Sequence, residues 1–174
     1  MGKPEINKEA TIYNYKLTRK LRYSNLYLYL YFSLVPLYLI FAVINFSLIG
    51  AFSSLLCFFF ILMIHILLTW LFLKMNVQQP FYWSLRWRFP FAGFQPRSYT
   101  PFRLIYRIQW HLFWVGLALI GCLFPWSSTS ILSHLLFVHL WLLFPRIVML
   151  RSFKKEQSGG AVRLSKKSVS YYLL

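Results

Sequence analysis

Phe52–Leu73 reads FSSLLCFFFILMIHILLTWLFL, an uninterrupted run with no Lys, Arg, Asp or Glu and a single histidine. A helix needs ~20 predominantly apolar residues to cross the hydrocarbon core of a bilayer. The run has that length and none of the apolar–polar alternation of a half-buried strand. Three further runs share its character: Tyr27–Leu48, Ile108–Phe124 and Ser130–Leu150. Tyr and Leu alternate briefly at 27–31, but the continuously apolar sequence that follows is unlike the polar–apolar strands of an outer-membrane barrel. The reading is therefore an all-α integral membrane protein with four transmembrane helices arranged as two hairpins.

The composition agrees. Of 174 residues, 59% are hydrophobic, 21% aromatic and only 13% charged, against roughly 25% charged in a soluble domain. Mean hydropathy is +0.55. There is no Asp, and the three acids are Glu5, Glu9 and Glu156. The 19 Lys and Arg give a formal charge of +16, a balance also found in nucleic-acid binders. Here, however, the cations lie between the apolar runs rather than on a soluble surface, so nucleic acid is not the expected partner.

Their placement sets the orientation. Every Lys and Arg falls in the N-terminal arm, in the segment between the second and third runs, or from Arg146 onward; the connections near 45–54 and 125–129 have none. Positive charge is retained on the cytoplasmic side. Both termini and the middle loop are thus expected inside, in a bacterial cytoplasmic membrane or an organellar inner membrane. The organisation is a basic arm at 1–26, a membrane domain at 27–150 with an inner loop at about 74–107, and a basic tail at 151–174. No cleavable leader is expected, because the first 22 residues are polar and the following run is span-length. Cys57 and Cys122 lie within apolar runs without CxxC spacing and read as packing residues.

The middle loop contains Pro80, Pro90, Pro96 and Pro101, which preclude a long helix through it. It interleaves Trp83 and Trp87 with Arg86, Arg88, Arg97, Arg103 and Arg107. Aromatic rings suit the headgroup boundary and guanidiniums meet lipid phosphates. These residues are the candidate surface for anionic phospholipid or an acidic cytoplasmic protein. Arg103 and Arg107, four apart, share one face of the helix leading into the third run; Arg146 is expected to reach the headgroups by extending its side chain. The tail beyond Ser158–Gly160 is read as solvated, lipid-bound or able to add a strand to a partner's sheet.

The histidines carry the remaining chemistry. His65 and His111 each lie 14 residues from an outer turn, at Ala51 and Pro125, and therefore at matched depth; His139 is shallower. Two histidines facing across a bundle are a ligand set for haem b or hydrogen-bond partners for a quinone. Without such facing they act as interhelical polar contacts. No spacing points to a metal site. Without acids in the runs, a Walker motif or a nucleophile–base–orienter set, the sequence offers no catalytic constellation. The expected function is a non-enzymatic anchor or accessory subunit of a larger membrane protein complex. A haem- or quinone-binding redox subunit using His65, His111 and His139 is the alternative.

Overall fold

A computed structural model describes residues 16–76, 83–86, 91–154, 159–165 and 168–173. The all-α, four-helix expectation is corrected. The described chain is mixed α/β, with three helices and six antiparallel strands in two sheets. The order is β1 (Lys16–Arg22), α1 (Asn25–Asn76), β2 (Trp83–Arg86), β3 (Gly93–Pro96), β4 (Thr100–Pro101), α2 (Phe102–Cys122), α3 (Thr129–Ser152), β5 (Ala161–Leu164) and β6 (Ser168–Leu173).

The first two expected spans are two helical arms, labelled together as α1, that meet at a kink at Ser47, whose φ of 72° and ψ of 171° lie outside the helical region. Both arms pack on α3: Tyr31 meets Trp141 in one arm, and Cys57, Ile61 and Leu62 join the same cluster from the other. The Ser47 conformation is one that glycine adopts freely and other residues adopt at a cost of about 1–3 kcal/mol. Ser47→Gly is therefore expected to raise stability, by up to about 1 kcal/mol once glycine's greater unfolded-state freedom is offset. Thermal unfolding in mild detergent checks the sign.

α1, α2 and α3 are each long and apolar enough to cross a membrane by length and composition. α2 begins at Phe102, so Arg103 and Arg107 lie on it, in the helix that leads into the third run. Two prolines interrupt the helices, Pro36 in α1 and Pro145 in α3. Pro145 cannot donate to the carbonyl of Trp141, one turn earlier. The Tyr31 hydroxyl donates to that oxygen at 3.3 Å. In return the Trp141 indole N–H donates to the Tyr31 carbonyl at 3.1 Å, and the two rings stack at 4.8 Å.

The strands arise from the two ends of the sequence and from the middle loop, which hydropathy leaves unassigned. β6 is rich in Ser, Val and Tyr, residues suited to a pleated, half-buried surface. It lies between β1 and β5 in a sheet of order β1-β6-β5-β4. The expectation that the tail pairs with a partner's sheet is thus replaced by pairing within the chain. β2 and β3 form a separate hairpin, with Trp83 opposite Pro96 and Arg86 opposite Gly93. Phe102, Phe153, Val162, Val169 and Tyr171 knit the larger sheet to the ends of α2 and α3. Gly160 permits this packing: a Cβ there would collide with the Tyr171 ring, whose hydroxyl accepts from the Gly160 N–H at 3.1 Å. Cys57 is buried, whereas Cys122 is exposed.

Candidate functional site

A seam of buried polar side chains runs along α3, in three layers. His139 and Arg146 are seven residues apart and so lie on one face of α3, two turns from each other. Across from them, Gln109 and Gly116 have the same spacing on α2. The two helices therefore meet in register, Gly116 against His139 and Gln109 against Arg146.

In the first layer, His134 is fully buried. Its Nε2 lies 2.8 Å from the Gly50 carbonyl and 3.1 Å from Ser130 Oγ, while Nδ1 is 2.8 Å from the Tyr38 hydroxyl. A carbonyl only accepts, so Nε2–H donates to Gly50 and Nδ1 accepts from Tyr38. This ties both sides of the Ser47 kink to α3.

The middle layer joins His65 and His139 directly at 3.0 Å. His139 Nε2–H donates to the Phe113 carbonyl at 3.3 Å, so its Nδ1 accepts from His65 Nε2–H. Thr69 donates to the His65 carbonyl at 2.7 Å. Gly116 makes room for the His139 ring, which a Cβ at that position would overlap.

Of the three histidines read as haem or quinone candidates, the structure brings together His65 and His139. His111 lies elsewhere, half-buried with its ring 5.3 Å from Phe72. A metal between two imidazoles would separate their nitrogens by about 4 Å, twice a metal–imidazole bond of ~2.0 Å. The direct hydrogen bond holds His65 and His139 closer than that. Among the described residues no three His, Cys, Asp or Glu side chains converge as a metal site would require.

The innermost layer centres on Arg146, which is 5% exposed. The expected reach to the headgroups is not what it does: Nη2 donates to the Ala92 carbonyl at 2.6 Å and Nη1 to Gln109 Oε1 at 3.4 Å. Gly93, at φ +117°, lies over the guanidinium; a Cβ there would sit 3.0 Å from Nη2. Tyr23 donates to the Pro145 carbonyl at 3.1 Å. Burial, reinforced by neighbouring Tyr27, pushes the Tyr23 hydroxyl pKa up, so it remains an O–H donor.

The residues read as a lipid or partner surface divide differently. Arg97, Arg103 and Arg107 are exposed, the last two on the outer face of α2. Arg86 is half-buried in β2. Trp83 stacks on Phe94 at 6.1 Å and faces inward toward Arg146's surroundings. Trp87 and Arg88 lie outside the described residues. Sequence reasoning missed Tyr38 and Gln109 as members of the seam, and missed Gln95 of β3, which lines one cavity with Gln109 and Arg146. The matched seven-residue spacings, His139 to Arg146 and Gln109 to Gly116, are the signal that points to Gln109 and to the inward placement of Arg146. The chain matches no protein-family model, no curated protein and no solved structure.

Proposed function

We propose that this chain is a membrane-embedded, non-enzymatic anchor or accessory subunit of a larger membrane protein complex, with its cationic end at the cytoplasmic face. The observation that carries the reading is segregation of charge along the bundle. The Ser47 kink and the turn between α2 and α3 have no Lys or Arg, whereas β1, the hairpin, the start of α2 and the end of α3 have many. Between these ends, α1 exposes large apolar side chains, including Ile44, Ile49, Phe52 and Met63. A large exposed apolar surface of this kind suits lipid or apolar partner helices.

At the cationic end, a cleft of about 240 Å³ brings Tyr106 and Trp110 beside Arg151 and Lys154. Rings with cations at one depth fit an anionic phospholipid headgroup. The His65–His139 and Tyr38–His134 contacts serve this reading as interhelical hydrogen bonds that fix the bundle.

Two measurements test it. In spheroplasts, an impermeant thiol reagent should label Cys at Ser128→Cys and leave Arg97→Cys unlabelled until the membrane is opened, each in a background lacking Cys57 and Cys122. Labelling of Arg97→Cys from outside contradicts the orientation. Purification in mild detergent should bring down a stoichiometric membrane partner, identified by mass spectrometry; a monomer alone, before and after cross-linking in the native membrane, rejects the subunit role.

A further inference from the structure

We propose that Arg146, Gln95 and Gln109 form a binding site for a single halide-sized anion, chloride in the cell, that ties the β2–β3 hairpin to α2 and α3. The proposal does not depend on the anchor reading.

Two independent observations meet at one place. Arg146 is buried, and the only acids of the chain, Glu5, Glu9 and Glu156, lie outside the described residues. Among the described residues its partners are therefore neutral, the Ala92 carbonyl and Gln109 Oε1. A buried cation without a counter-charge is costly. Separately, Gln95 is 6% exposed, and its Nε2 is a buried donor with no hydrogen-bond partner. Native proteins leave few such groups. Arg146 and Gln95 line the same cavity, of about 20 Å³.

The chemistry of the walls selects the ligand. Gln109 also lines the cavity, with its acceptor oxygen facing Arg146 and an amide nitrogen that can only donate. The other walls include Trp83, Phe91, Phe94, Ile105 and Met149, none of which carries an acceptor of any strength. Aromatic edges carry partial positive charge. A cavity of this size holds one water-sized particle, too little for phosphate, sulfate or a carboxylate. A monatomic anion supplies the missing charge and accepts from the orphaned amide.

The test uses the full chain in mild detergent, unfolded thermally while sodium chloride replaces sodium gluconate at constant ionic strength. The midpoint is expected to rise by several degrees and saturate, as it does when a ligand binds only the folded state. Bromide should reproduce the rise, and acetate should not. Gln95→Leu removes the orphaned donor. It should raise the midpoint in chloride-free buffer and shift the half-saturating chloride upward about tenfold, the effect of losing one charge-assisted hydrogen bond.

Identical midpoints in gluconate and chloride overturn the proposal. So does a chloride effect that Gln95→Leu leaves unchanged, which would place the ion among the exposed cations. A chloride effect that appears only in Glu156→Gln also overturns it, by showing that this carboxylate already neutralises the site.

Discussion

Gly116→Ala is expected to destabilise the folded chain by about 2–5 kcal/mol. The added methyl would overlap the His139 imidazole, and overpacking of this kind costs roughly 1–3 kcal/mol. Displacing the ring also breaks its bonds to His65 and to the Phe113 carbonyl, and each buried group left unpaired adds about 1–3 kcal/mol. The control is the double variant. With His139→Ala in place, the clash has no partner, so Gly116→Ala should no longer cost stability and should instead gain up to about 1 kcal/mol, as replacing a helical glycine by alanine does. Unfolding in detergent micelles measures both. Additive effects of the two substitutions would show that Gly116 and His139 do not share the contact.

Tyr31→Ala is the second large expected loss, about 3–5 kcal/mol, the usual cost of deleting a buried aromatic ring. Tyr31 is 1% exposed and stacks on Trp141. Tyr31→Phe separates the two contributions, since it keeps the ring and removes only the hydroxyl that donates to the Trp141 carbonyl. The expected cost is about 1–3 kcal/mol, the range for deleting one partner of a buried hydrogen bond. That cost should fall below 1 kcal/mol in a Pro145→Ala background, where residue 145 regains the N–H that serves Trp141 in a regular helix. If Tyr31→Phe costs the same with and without Pro145, the hydroxyl has some role other than repairing the proline break.

Helical hydropathy made the apolar elements legible. α3 at Thr129–Ser152 lies within two residues of the run read from sequence, and the prolines of the middle loop do exclude a long helix through the described parts of it. The strands were not legible. β1 and β6 are short, polar and far apart in sequence, and each acquires its extended form from a partner that no local pattern reveals. The break at Ser47 falls within the connection read at 45–54, but its form, a single residue at positive φ, was hidden because serine carries no signal for a backbone conformation that favours glycine.

Within the seam, matched depth drew attention to His65 and His111, but depth fixes only one coordinate. The rotation of α2 turns Gly116 toward α3 and places His111 beside Phe72, which leaves His65 to meet His139. Arg146 was read as a headgroup contact from its position near a helix end. The β2–β3 hairpin, absent from the sequence reading, covers that end and supplies the Ala92 carbonyl through the chain entering β3.

The pairing of β1 with β6 also imposes an order on biosynthesis. β1 leaves the ribosome before α1, α2 and α3, yet its partner in the sheet follows all three. At ~5–20 residues per second, roughly 8–30 s pass between the two. During that interval β1 is an unpaired strand beside nascent apolar helices. Its Lys16, Arg19, Lys20 and Arg22 are the kind of charges that discourage edge-to-edge association. The cationic face is therefore a clasp that closes last, after the helices it sits on have been made. A chain stalled or cut before residue 168 would carry the whole bundle with the clasp still open.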